Sequence, residues 1–596
     1  MKPLPSDHIR LLCIEPGSDD SPIRCRLLVR SLEASPPYEA LSYTWGSLER
    51  DCIITCDEAP MFVTTHLYDV LQYLRKPEEE RIMWIDALCI NQRDDHERSE
   101  QVGIMKDIYT KAWHVVIWLG RETPEDKIAF ELLDRFKQIF DERGLVELGP
   151  EHYRTVGLPW LHDPNWSHWT ALVKLFQRSW FQRIWVVQEA AMAREATVVC
   201  GPYSIMWKDI SNIAISVRKR GYLGPYPIQF HATGITSATV IHFLRQAIQF
   251  QNNSWGLLSL LRLTRKYKAT DPRDKVFALM GVVTDAGSIL VDLKPDYRLS
   301  TEEVYLSVAL HYLEKLKNLE LLAHAGINSA LRNPKLPSWI PDWGSCNENR
   351  AVIAATVVKT NFCAAGDSQP TLSISADKKV LSIRGAVIDT ISQQDHSILY
   401  GDEDLALDHC TEAGRARLNL RSKINTESFE AFAEAAYKFP EGHTREESLW
   451  RTLCCDQTTE IPVQRAPAEY GIAYKVLRKL HAATDANRRI DMDAFHRSIA
   501  QEEMLDFVAF DNTVLRHYTG KNLCVTTGGY LGIVPNGTLD GDKICILFGS
   551  AVPFVLREYD GVFFELVGEC YIHGIMDGEG MREPDIETLS RDFVII

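Results

Sequence analysis

Two carboxylates and their aromatic neighbours are the side chains of this sequence best placed to do chemistry. Glu189 follows Trp185 by four positions, so on a helix the two share a face and the indole can desolvate the acid, raising its proton affinity. A carboxylate so placed can stabilise positive charge that develops beside it. Asp86 ends an apolar run, Arg81 to Asp86, that reads as a parallel strand, and open α/β sheets place ligands at the carboxyl ends of such strands. Asn91 and Gln92 in the loop that follows can bind polar groups, and Ser42, Tyr43, Trp45 and Gly46 at the end of an earlier run can line the same crevice.

Each of these residues also has a structural alternative. Trp185 can be core, with Glu189 bonded to a neighbouring loop or paired with Arg183. Asn91 and Gln92 can cap a helix and order their loop, and Gly46 needs only a tight turn. Arg98 and Gln101, one helical turn apart, face solvent by default.

The elements that must position these residues form an α/β rhythm over residues 1–215. Leu41 to Trp45, Arg81 to Asp86 and His114 to Leu119 read as strands. Between the last two, Val102, Met105, Tyr109 and Ala112 recur at helical spacing, which predicts one amphipathic helix over Asp94 to Ala112. Asp94 and Glu97 form a capping box at its start. Strand, loop, helix and strand in that order call for a crossover within one parallel sheet. Residues 216–333 read as mainly helical, interrupted by the turn Asp271 to Asp274. Residues 334–511 mix strand-like runs such as Leu381 to Arg384 with a charge-rich helical stretch, Glu427 to Glu447. Residues 512–596 carry short β-type runs (Asn522 to Thr527, Lys543 to Phe548, Pro553 to Arg557, Val562 to Glu569), which predict a small antiparallel sheet or barrel.

Composition narrows the classes of function. The formal charge of −16 and the lack of a basic patch argue against nucleic acid. No run approaches the length of a membrane helix; Ala351 to Val358 and Val276 to Val283 read as core. The first ten residues lack the apolar stretch of a signal peptide, so a cytoplasmic protein is expected. Fourteen cysteines without a C-x-x-C pair read as reduced, buried thiols and no metal is expected. His162 and His168 have no ligand partners at metal spacing and read as loop or packing residues. There is no phosphate-binding GxxxxGK[ST] loop, no GxSxG elbow and no HExxH helix, and Asn536 to Thr538 is read as a turn.

Three long motifs carry a resemblance. Tyr38 to Gly46 (YEALSYTWG), Met83 to Asp94 (MWIDALCINQRD) and Ser179 to Glu189 (SWFQRIWVVQE) resemble, in order, the signature of fungal heterokaryon-incompatibility (HET) domains. Asp271 to Gly281, Leu336 to Trp343 and Gly568 to Met576 resemble segments of longer proteins of that type. The resemblance implies a non-self-recognition factor that triggers programmed cell death after hyphal fusion, with self-association or other incompatibility proteins as partners. More remotely, the order of elements is similar to the Toll/interleukin-receptor (TIR) fold. The implied fold class is therefore α/β: a TIR-like parallel-sheet domain, a mainly helical region and a C-terminal small antiparallel β domain.

TIR enzymes cleave NAD through a helix-borne glutamate, so this second resemblance implies NAD as substrate, no bound cofactor, and Glu189 as the acid. The bond to nicotinamide would break through an oxocarbenium-like transition state that a carboxylate stabilises. A scaffold without chemistry, and a factor recruited beside a secondary-metabolite pathway, are the alternatives.

Overall fold

The computed structural model describes residues 3–143, 167–219, 233–250, 255–284, 293–327, 331–345, 361–395, 426–458, 463–482 and 506–596, apart from short gaps at 6, 19–20, 48, 508, 512, 515–516, 518–519 and 583–585. The expected core run Ala351 to Val358 and His162 lie outside the described residues. The chain divides into two compact units, Met1–Thr301 and Glu302–Ile596.

The first unit is built on a nine-stranded sheet in the order β5-β4-β2-β1-β6-β3-β7-β8-β9. Its strands are β1 (His8–Ile14), β2 (Arg24–Ser31), β3 (Glu39–Ser42), β4 (Cys52–Cys56), β5 (Ala59–Val63), β6 (Arg81–Trp84), β7 (His114–Trp118), β8 (Ala196–Cys200) and β9 (Tyr203–Met206). The centre, β6-β3-β7-β8, is parallel, as expected for strands separated by helical crossovers. The sheet as a whole is mixed rather than parallel: β1 runs antiparallel to β2 and to β6, and β9 returns antiparallel on β8. Hairpins need only a few connecting residues, and they extend a parallel core at its margins. β3 is buried along all four residues, so its end, Ser42, opens directly onto the next layer.

The helix expected over Asp94 to Ala112 divides into Asp95–Gly103 and Met105–Lys111. Ile104 leaves helical geometry at φ −104 and ψ 4, next to Gly103, a poor helix former. The helical stretch Glu427 to Glu447 likewise resolves into Thr426–Ala433 and Arg445–Leu453. Pro440 and the left-handed Gly442 (φ 84) interrupt it, and Thr444 caps the second helix by accepting from the Glu447 amide. After the sheet the described residues of the first unit form the helices Thr233–Phe250, Leu257–Leu263 and Asp274–Met280, among others. Val276 to Val283 is buried, as expected of a core run, except at Gly281.

In the second unit the strands are β10 (Leu372–Ile374), β11 (Leu381–Gln394), β12 (Lys521–Thr526), β13 (Leu531–Pro535), β14 (Lys543–Leu547), β15 (Phe554–Tyr559), β16 (Phe563–Glu569), β17 (Tyr571–Ile572) and β18 (Ser590–Ile595). Because β11 pairs with both β14 and β18, the strands β11, β14, β15, β16 and β18 close on themselves, which removes exposed edges. All these pairings are antiparallel except β16 with β18. The long β11 bulges between Val387 and Asp389 and again between Ile391 and Gln393, and from Ile391 onward it pairs with β12. Only its first four residues were expected as strand.

Among the described residues no helix is long and apolar enough to cross a membrane.

Candidate functional site

Glu189 lies in the helix Val186–Met192, all seven of whose residues are buried, and is itself 3% exposed. Its carboxylate accepts from the Ser42 hydroxyl. That hydroxyl in turn accepts from the indole N–H of Trp180 at 2.8 Å. Trp180 sits in the single turn Ser179–Gln182, so the end of β3 and the turn before the helix converge on one acid. Two of the three sequence motifs therefore meet at Glu189.

The third meets them through Asp86. The Trp45 indole donates to Asp86 Oδ2 at 3.0 Å, and the Ala87 amide donates to Oδ1 at 2.7 Å. Burial pushes the Glu189 carboxyl up to about 7; Arg183 and the Ser42 hydrogen bond oppose the rise, and Asp86 adds to it. Burial raises Asp86 as well, again against Arg183, Trp45 and the Ala87 amide. Two acids thus share one guanidinium. Arg183 is fixed by donating to the Tyr43 carbonyl. Burial pushes the phenols of Tyr43 and Tyr109 well above their usual range, and both acids add to this, so the phenols stay protonated. The Tyr109 hydroxyl donates to the Leu41 carbonyl at 3.0 Å, which holds β3 from beneath.

The remaining expected residues divide. Asp86 does not end the strand as expected but opens the one-turn helix Asp86–Cys89 beyond β6. Gln92 donates to the backbone carbonyl of Asp86 at 3.1 Å, and the Asn91 backbone N–H donates to Glu97 at 2.7 Å, so both order the stretch that follows this helix. Trp185 does not turn its N–H to Glu189: it donates to Asp274 Oδ2 at 3.0 Å. Arg98 is only partly exposed and Gln101 is buried, so neither simply faces solvent. Arg98 pairs with Asp271 at 3.1 Å and stacks over the Tyr297 ring, while the buried Gln101 donates to the His8 carbonyl at 2.9 Å. Asp94 caps its helix as expected, but Glu97 does not complete a capping box. It is drawn instead to the buried guanidinium of Arg10, 2.5 Å away, a stronger partner than a first-turn amide. His168 lies in the helix Ser167–Phe176.

Trp180, Tyr109 and Asp274 join the cluster without having been singled out for it, whereas Arg183, the alternative partner read for Glu189, does act on its charge. Trp180 stands inside the third motif, where Trp and Arg alternate around the turn. Asp274 stands far along the chain, in the segment Asp271 to Gly281, and only the fold brings it to Trp185. Among the described residues no group of three or more His, Cys, Asp or Glu could hold a metal ion.

Comparison with known proteins places these features. Residues 38–189 match the family profile "Heterokaryon incompatibility protein (HET)", and residues 378–593 match the "Het-6 beta-barrel domain". The chain is 26% identical to "Heterokaryon incompatibility protein 6, OR allele" of Neurospora crassa, across 96% of this chain and 94% of that protein. No solved structure matches the chain.

Proposed function

We propose that this chain, which carries a heterokaryon-incompatibility domain and a Het-6 barrel domain, is a non-self-recognition factor that triggers programmed cell death after hyphal fusion. The observation that carries the reading is the reach of the similarity: 96% of the chain aligns with an incompatibility protein, so the barrel and the region between the domains are shared along with the HET domain. The protein acts in the cytoplasm, through self-association or other incompatibility proteins.

Within that role Glu189 is the acid of a TIR-like crevice that cleaves NAD. A carboxyl whose proton affinity lies near neutrality is partly ionised in the cell and can stabilise an oxocarbenium-like ribose as nicotinamide leaves. Trp45, Asp86, Arg183 and Trp185 are partly exposed, which supports an approach to it from their side. The parallel core β6-β3-β7-β8, with Ser42 and Asp86 at or just beyond strand ends, supports a ligand crevice there. One observation favours a second reading, a scaffold without chemistry: Glu189 is only 3% exposed and already bonded to Ser42.

Killing scored at matched protein levels for the wild type, Glu189→Gln and Asp86→Asn separates the two. Loss of killing in both variants, with melting temperatures retained, supports the crevice; full killing by both removes it and leaves the scaffold.

A further inference from the structure

The match to the HET profile ends at Glu189, yet the indole of Trp185 is fixed by residues far beyond it. Asp274 opens the helix Asp274–Met280 and is buried. One carboxylate oxygen accepts from Trp185 Nε1 at 3.0 Å and the other from the Tyr297 hydroxyl at 2.6 Å. Tyr297 is itself pinned: the Arg98 guanidinium lies 3.4 Å from its ring centroid, and its amide donates to Ser99 Oγ at 3.0 Å. Arg98 pairs with Asp271, and Arg273 ties Asp271 to the carbonyls of Tyr297 and Leu299 at 2.6 and 2.7 Å. The helix Asp95–Gly103 is thus stitched to Tyr297 and to two carboxylates, Asp271 and Asp274, the first held by Arg98 and Arg273 and the second by Trp185 and Tyr297. An indole has a single N–H, so a fixed acceptor sets the rotation of the whole ring. Trp185 is partly exposed, so a planar group can reach part of the residue.

We propose that Asp274 is a positioning residue for Trp185, held in turn by Tyr297 and Arg98, and that the working HET unit extends through Leu299. This rests on the crevice reading of the site and assigns Trp185 the stacking of a planar heteroaromatic ring of the ligand.

The test uses the full-length protein labelled with 5-fluorotryptophan, its Trp185 fluorine signal assigned with Trp185→Phe. Asp274→Ala is expected to move or broaden that signal and to lower killing at least tenfold. Asp274→Asn is expected to restore both, because its amide oxygen can accept from the indole while its NH2 donates to the Tyr297 oxygen. A purely structural role predicts instead that killing follows melting temperature through the series, and that outcome overturns the proposal. So does an unmoved Trp185 signal in Asp274→Ala, or a moved signal with full killing. Should Asp274→Ala fail to fold, Tyr297→Phe, which removes one hydrogen bond from the same carboxylate, is read by the same criteria. Full killing by Glu189→Gln removes the crevice reading itself, whereas the fluorine signal reports on Asp274 whatever that variant does.

Discussion

The acids of this protein respond to pH in opposite directions, and the balance between burial and hydrogen-bonded partners decides which way. Glu189, raised to about 7, costs stability once it must ionise, so its contribution is favourable at low pH and is lost as pH rises from the usual carboxylate range through about 7. Glu189→Gln should therefore be more stable than the wild type at pH 8, by roughly 3 kcal/mol if the full difference is realised, and near equal at pH 4. Urea unfolding at the two pH values checks this; an equal cost at both would mean that the carboxylate is held ionised. Glu97 behaves conversely. Burial pushes it up, but hydrogen bonds from Arg10 and the Asn91 amide outweigh that and lower it, so its contribution is lost as pH falls. Ser42, Asp86 and Glu189 were legible because each stands in one of the three motifs. Their partners were less so: nothing in the spacing of Trp185 tells that its N–H is satisfied by Asp274, 89 positions on.

At the scale of elements, the buried Arg10–Glu97 pair joins β1 to the helix Asp95–Gly103. Glu97→Gln strands a buried guanidinium and should cost about 3–5 kcal/mol, read as a shift in the urea midpoint at unchanged slope. Two glycines give opposite expectations. At Gly103, exposed and next to the helix break, an added Cβ meets nothing, so Gly103→Ala should stabilise by about 0.5–1 kcal/mol. At Gly234, in the helix Thr233–Phe250, it would lie 1.9 Å from the Phe176 carbonyl oxygen, so Gly234→Ala should destabilise by at least ~1–3 kcal/mol. Thermal melts of the two variants check both signs. The central strands and the Asp94 cap were legible because period and cap chemistry are local. The break at Ile104 was not, since apolar positions kept their helical spacing across it. β1 and β2 also escaped notice: their hairpin partners, and not a motif, define them.

For the whole molecule, the order of an α/β unit, a helical stretch and a β-rich end was legible because hydrophobic period changes along the chain. The closure of β11, β14, β15, β16 and β18 was not, since β11 precedes its partners by well over a hundred residues and carries two bulges that disguise its alternation. The family motifs reported function class where physical pattern alone reported only globularity. We propose that the HET unit kills by spending NAD through Glu189. NAD content, measured over time in cells induced to express the wild type or Glu189→Gln at equal levels, tests it most directly. NAD is expected to fall before viability in the wild type and both to be preserved in the variant; death of wild-type cells with NAD unchanged rules this chemistry out.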